Sequence, residues 1–565
     1  MSPASRTALL PTRVRNLLLL LLATTISSVA FASGPYVVGS SNTVTADPTI
    51  PRPSTTPCVV QILNNAEFDN FNPVSFSYAP PADCPGPWAK VVFTADINVT
   101  AGIQYDRTAN FWLGPTNIYF GTTAEPSPSL GPSWHVESDL TDYTPLFMTS
   151  QQGTADIGNL VNSTYTGIIF ATSSLEFYPL APGQTAPVTA NQVYSLSAGP
   201  TGGTVALSST SSTLAGTFTL PTNIQNAYLD VYAQSQYQDE FWYTCVPNDV
   251  SNELFSCGNT AFRETEITID GSPAGVAPIF PWIFTGGIDP YLWFPLPGVQ
   301  TLNFTPYRVD LTPFAATLSN GQPHTISLSV FNSDNYFSAT ASLLVYQDLG
   351  STSVTGALTK DTLTSAPNPV VTENLKVGNT ITGTVKVVSN RNFTLSGYVN
   401  TSHGKVTTTI SQSVNFRNSQ NFNITNTKYV QDINQSSTVN STTTVSTKGQ
   451  PTLTYTRNLQ FPLNFDISQV TQSNGDIAQT STSWQTYNVQ NTTKQDGLQM
   501  YLGLLTNAVS SQDTLTFDSS FNLLGNSNQA SSQLYNNSDS TGVSEVCTLT
   551  AANNALTSFS PSCSQ

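Results

Sequence analysis

Residues 89–101 read AKVVFTADINVTA. Apolar and polar residues alternate along this stretch, and a period of two puts successive side chains on opposite faces of an extended strand. The pattern returns in TNIYFGTT (116–123) and NAYLDVYAQSQ (226–236), with turn residues breaking the chain at short intervals. From residue 57 onward almost no run carries a helical period. Short alternating segments between closely spaced turns predict an all-β protein of antiparallel sandwiches or barrels.

Working outward, the 565 residues allow two to four domains at ~150 residues each. LAPGQTAPVT (180–189) marks a first boundary and YQDLGSTSVTGA (346–357) a second. These give a first β domain over 57–185, a second over 186–350 and a C-terminal region over 351–565. Residues 360–535 are rich in Ser, Thr, Asn and Gln. Alternation persists there in TGTVKVVS (382–389) and KVTTTISQSVNF (405–416), and Thr and Val favour pleated sheet. The region therefore reads as a polar-faced β domain rather than a disordered stalk.

Residues 1–32 have the layout of a secretory signal. Arg6, Arg13 and Arg15 precede the apolar run Leu17–Leu22, and Ala30-Phe31-Ala32 supplies a small-x-small cleavage pattern. The run is shorter than the ~20 residues of a membrane span. The expectation is a chain secreted or sent to the periplasm after cleavage near Ala32, with residues 33–56 as a flexible Pro/Ser/Thr-rich lead-in. Export permits disulfides. The six cysteines fall into close pairs, and nearest-neighbour bridging predicts Cys58–Cys84, Cys245–Cys257 and Cys547–Cys563. Neither these spacings nor the scattered His135, His324 and His403 match a zinc site, so no metal and no cofactor is expected.

The net charge of −16 argues against nucleic acid and anionic membrane as partners, because both require clustered Lys and Arg. A monomer is expected. With only 9% charged residues, each acidic cluster stands out: Asp106-Arg107; Glu125 in TTAEPSP; Glu137 and Asp139 in WHVESDLTDY; Asp239-Glu240 in QYQDEFWY; and Glu264 and Glu266 in AFRETEITIDG. Two carboxylates facing one cleft can divide acid and base duties. The rings nearby, among them Tyr105, Trp134, Trp242 and Trp293, would offer sugars a stacking surface, or would simply fill the core. Taken singly, each cluster is more often a solvated edge or a structural ion pair. No G-x-S-x-G elbow appears, and His135 has no evident nucleophile beside it.

Seven segments in order, YDRTANFW (105–112), TTAEP (122–126), WHVESDLTDYTPL (134–146), DEFWY (239–243), FRETEITIDG (262–271), FTGGIDPYLWFPLPG (284–298) and TPYRVDLTPF (305–314), resemble the peptide-N-glycosidase A type glycoamidases. SNRNFTLSGYVNTSHGKVTTTI (389–410) is similar to that family's polar tail. A more distant resemblance is to peptide-N-glycosidase F, and it implies two tandem jelly rolls in the first two domains. The catalytic Asp of that relative precedes an Arg in an aromatic-aspartate-arginine motif, so the resemblance assigns catalysis to Asp106 and a support role to Arg107.

Two departures follow. Where the distant relative has a glutamate before a Phe-Arg pair, this chain has Asn259 before Phe262-Arg263. Where the relative has a glutamate on a later strand of its first domain, NLVNST (159–164) offers Asn159 or Asn162. The partner acid must then come from elsewhere; Glu240 or Asp239 is the expected replacement, with Glu264 behind them. Trp134, Asn162, Trp242, Asn259, Arg263 and Trp293 are expected to bind or support the substrate.

The implied reaction is hydrolysis of the amide between an Asn side chain and the first N-acetylglucosamine of N-glycosylated peptides and glycoproteins. It leaves Asp and a glycosylamine that loses ammonia, at acidic pH if Arg107 holds the Asp106 pKa down. The rival reading is a non-catalytic carbohydrate-binding sandwich, a lectin or adhesin.

Overall fold

A computed structural model describes residues 36–563; the signal-like segment and its cleavage site lie outside the described residues. The stretch 89–101 forms the strand Trp88–Val99. From Phe93 to Val99 its side chains alternate between buried and half-buried, while Val91, Val92 and Phe93 are all fully enclosed.

The first eight strands make two four-stranded antiparallel sheets. Counted along the chain, one sheet has the order first, eighth, third, sixth, and the other second, seventh, fourth, fifth. Two interlocked Greek keys give this order, which defines a jelly roll. The core between the sheets holds Trp88, Phe93, Phe111, Tyr119, Phe147 and Phe177. The disulfide Cys58–Cys84 ties the first strand to the loop between the second and third strands.

A second sandwich repeats the plan. The strands Val205–Leu207, Tyr336–Gln347, Ile224–Gln236 and Tyr307–Asp310 lie side by side in one sheet, with Gln192–Leu196 added beside Tyr336–Gln347. Leu214–Thr219, Pro323–Phe331, Glu264–Ile269 and Ser272–Pro278 form the other. The strand order is again first-eighth-third-sixth against second-seventh-fourth-fifth. The two sandwiches meet at a seam, which explains why the strand Thr116–Thr122 is buried at every position. Tyr119 faces the first core while Phe120 packs on Tyr232 and Phe304 of the second sandwich. Arg308 fixes the seam by binding Asp230 with two nitrogens (2.7 and 2.8 Å) and Asp142 with a third (2.7 Å).

Beyond Thr355 the chain forms one eleven-stranded antiparallel sheet with strands of up to 21 residues. Its Asn and Gln side chains have a structural reason. The loops of the second sandwich leave backbone carbonyls unpaired, and a buried unpaired carbonyl is costly. Asn418, Gln420 and Gln431 donate to the carbonyls of Tyr243, Cys245 and Thr244 at 2.8–2.9 Å, Gln485 to that of Pro281 and Gln529 to that of Phe294. The polar composition thus serves a buried interface, which Phe416, Phe461 and Phe465 complete with apolar surface. Cys245–Cys257 closes a loop at this interface and Cys547–Cys563 closes the end of the sheet.

The expectation of a flexible lead-in is corrected over residues 36–56, which have no regular secondary structure but lie strapped across the molecule. Gly39 N donates to Leu556 O and Val44 N to Pro295 O. Ala46 N reaches Gln533, the Asp47 carboxylate accepts from Asn507, and Arg52 pairs with Glu137. The segment joins no sheet, yet carbonyls and side chains of distant segments satisfy part of its backbone.

Candidate active site

The seam between the sandwiches is where acids accumulate. Asp106 lies in the irregular segment between the strands Trp88–Val99 and Thr108–Leu113. The loop Phe284–Trp293 of the second sandwich crosses over it, and Gly286 N donates to Asp106 Oδ2 at 3.1 Å. The same glycine separates two carboxylates: a Cβ placed there would collide with Oε2 of Glu125 and stand 3.3 Å from Oδ1 of Asp106. A larger residue would push the Glu125 carboxylate out of its present position.

The crossing loop is held on three sides. Thr285 Oγ1 donates to Thr123 O and accepts from Glu125 N, and Trp293 Nε1 donates to Gly287 O at 2.9 Å. Its Asp289 faces Asp513 of the large sheet; burial and that neighbouring acid push Asp289 up to about 7.

Glu240 enters from the second sandwich. The strand Ile224–Gln236 ends in two short 3-10 turns, Tyr237–Asp239 and Trp242–Thr244, and Glu240 lies between them. Burial first, and then the charge of Asp106, raise its carboxyl to about 8; the same two causes raise Glu125 to about 8. Asp106 is also raised, by burial against the opposing pull of Gly286 N–H and Arg107. The three acids titrate as neighbours and none has a salt-bridged cation among the described residues. All three are partly open to solvent. At the rim, the half-exposed Tyr105 packs against Tyr165 with ring centroids 5.4 Å apart and the rings tilted by 50°.

Several expectations need correction. Arg107 does not pair with Asp106: its Nη2 donates to Gln104 Oε1 at 2.5 Å and its guanidinium lies 5.8 Å from the Tyr105 ring. Burial therefore outweighs it, and the Asp106 pKa moves up rather than down. Asp239 is fully buried, bound to Arg263 Nε (2.9 Å) and to the backbone N–H groups of Asp334 and Asn335 (2.9 Å each). With its lone pairs so occupied, it holds a loop and does not serve as a proton donor. Glu264 binds Arg391 of the large sheet at 2.7 Å, together with Glu266, and so belongs to the interface.

Trp134 and Trp242 are core residues. Asn259 exchanges amide-to-carbonyl hydrogen bonds with Asn332 and shapes a turn. Asn162 accepts from the N–H of Thr164 and Tyr165, which sets the position of Tyr165 at the rim. Asn159 is buried against Phe68 O and Gly167 O. Arg263 and Trp293 act through Asp239 and the crossing loop.

Glu125 and Gly286 were absent from the expected site. Glu125 was visible as one of five acidic clusters, but nothing local distinguished it.

The profile of the family described as peptide N-acetyl-beta-D-glucosaminyl asparaginase amidase A matches residues 48–363. The chain belongs to this family. It is 31% identical over 392 residues to the peptide-N4-(N-acetyl-beta-glucosaminyl)asparagine amidase A of Prunus dulcis, covering 65% of this chain and 67% of that protein. Among solved structures, PNGF-II overlaps 52% of this chain and 66% of its own, with 12% identity and a TM-score of 0.37. PNGase F, a glycosylasparaginase from Flavobacterium meningosepticum, overlaps 52% of this chain and 96% of its own, with 12% identity and a TM-score of 0.34.

Proposed function

We propose that this member of the amidase A family hydrolyses the amide joining an asparagine side chain to the first N-acetylglucosamine of glycopeptides and glycoproteins. The observation that carries the reading is the convergence of Asp106, Glu125 and Glu240 at the seam, with two of the three held protonated near neutrality. Amide hydrolysis needs a base for water and an acid for the leaving nitrogen at the same time. Asp106 holds a backbone N–H on its carboxylate, from Gly286, and with Arg107 also pulling toward the charged form it is assigned to take the proton from water as the water attacks the side-chain carbonyl. Glu240, protonated below about 8, gives its proton to the departing glycosylamine nitrogen. Glu125, on the other side of Gly286, is the second neutral acid and keeps negative charge in the site to a single carboxylate. Tyr105 and Tyr165 offer ring faces to the first sugar.

This division sets a pH range. Activity rises as Asp106 ionises and falls as pH passes about 8 and Glu240 loses its proton, so an acidic to neutral working range is proposed. Among the described residues no helix is long and apolar enough to cross a membrane, and the signal-like N-terminus supports export. The deciding experiment is mass analysis of a glycopeptide after incubation. Conversion of the linkage Asn to Asp supports the reading; a sugar left on the peptide, or an unchanged peptide, refutes it.

A further inference from the structure

A cleft of ≈ 850 Å³ runs between the second sandwich and the large sheet. It begins within two residues of the reaction centre: Phe241, next to Glu240, and Ile288, two beyond Gly286, form its near wall. The far wall belongs to the large sheet, with Gln469, Gln479 and the turn at 425–428, Gln431 lying buried behind it on the Thr244 carbonyl, and Phe521 also lines it.

Two independent features set this cleft apart. The first is backbone strain. Tyr237 (φ 53°), Phe255 (φ 50°), Ile288 (φ 68°) and Phe521 (φ 62°) all line it in the left-handed region, which bulky side chains rarely adopt. Three of these are rings left exposed, at 69% for Tyr237, 75% for Phe255 and 68% for Phe521. Folding gains little from rings held out in water on strained backbone, and such outliers collect where a ligand is clamped.

The second feature is charge. Lys428 is the one charged side chain on the lining; the rest is amide, hydroxyl, aromatic and aliphatic. Amides donate and accept, which suits vicinal hydroxyls, and ring faces suit the C–H faces of sugars. The volume lies in the range of ligand-binding clefts.

We propose that the large sheet is a carbohydrate-binding subsite: the cleft holds the neutral outer sugars of the N-glycan while its first N-acetylglucosamine lies at Asp106. This rests on the glycoamidase reading and extends it to residues 424–479 and 521, outside the span matched to the family.

The test compares one peptide carrying either a complete neutral N-glycan or a single N-acetylglucosamine. Wild type is expected to favour the long glycan by about tenfold or more in kcat/KM, through KM. Phe521→Ala and Gln479→Ala are each expected to remove most of that preference. A preference unchanged in both variants, or an equal loss on both substrates, overturns the proposal. Calorimetry with the released neutral oligosaccharide on full-length Asp106→Asn protein reads the cleft without catalysis. Binding that Phe521→Ala weakens supports the subsite, and absence of binding overturns it. Should wild type hydrolyse neither peptide, the glycoamidase reading fails and this binding measurement still decides the cleft.

Discussion

Asp239 and Glu240 are adjacent in one short turn and have opposite fates. Asp239 turns inward to Arg263 and two backbone N–H groups. Glu240 turns to the seam, where the nearest charge is another acid and its carboxyl is held at about 8. The same contrast separates Glu264, bound to Arg391, from Glu125, which faces Asp106 across Gly286. A paired acid holds loops or sheets together. An acid deprived of a cation stores free energy as a raised pKa, which is the property proton transfer uses.

Substitutions can break this contrast from either side. The largest effect is expected for Asp106→Asn, which keeps the shape and removes the base: kcat/KM should fall on the order of 10³-fold or more, with an unchanged circular dichroism spectrum and melting temperature. Full turnover in that variant would refute the assignment. On the structural side, Arg263→Ala strands the Asp239 charge in the core. Breaking one side of a buried pair costs about 3–5 kcal/mol, so a denaturant titration should show a large loss of stability, and Asp239→Asn, which leaves the buried Arg263 guanidinium without its carboxylate, should cost a comparable amount.

Glu240→Gln separates acid from base. It should lower kcat about 10²-fold and erase the fall in rate near pH 8, without the stability loss of Arg263→Ala. Glu125→Gln should leave the alkaline limb in place, since Glu240 remains. Gly286→Ala adds a methyl against Glu125 and displaces the crossing loop; a rate loss of about ten- to a hundredfold with modest loss of stability is expected.

The smallest effect is on stability against pH. Asp47 (about 6), Asp289 (about 7), Glu125 and Glu240 (about 8) and Glu266 (about 9) all bind protons more tightly folded than unfolded. Between pH 5 and pH 9 the folded state therefore carries more protons, and stability falls as pH rises. His135, held at about 9 by Asp96 and Glu137, adds to the same trend, because its stabilisation is complete below its unfolded pKa and fades as pH rises through 9. The melting temperature should drop by roughly 5 °C or more over this range. A rise would mean that these acids have partners other than those described.

Much of the architecture was legible in the residues themselves. Alternation in AKVVFTADINVTA and its counterparts depends on neighbours two apart, so strands, turns and the all-β class follow from local sequence. Short cysteine spacings gave the three bridges for a similar reason, and the YDRTANFW resemblance singled out Asp106. The burial of TNIYFGTT does not follow its sequence alternation, because its outer face is covered by the second sandwich, and no local pattern reports which distant surface will arrive.

The partner acids were illegible on the same grounds. Whether Asp239, Glu240, Glu125 or Glu264 keeps a counterion depends on Arg263, Arg391 and Gly286, which lie 24, 127 and 161 positions from Asp239, Glu264 and Glu125, respectively. The sequence by itself determined the strands and singled out one aspartate, Asp106, for the proposed catalytic role. The tertiary structure alone decided which other acids stand beside it without a cation, because burial and charge pairing are properties of surfaces brought together by folding.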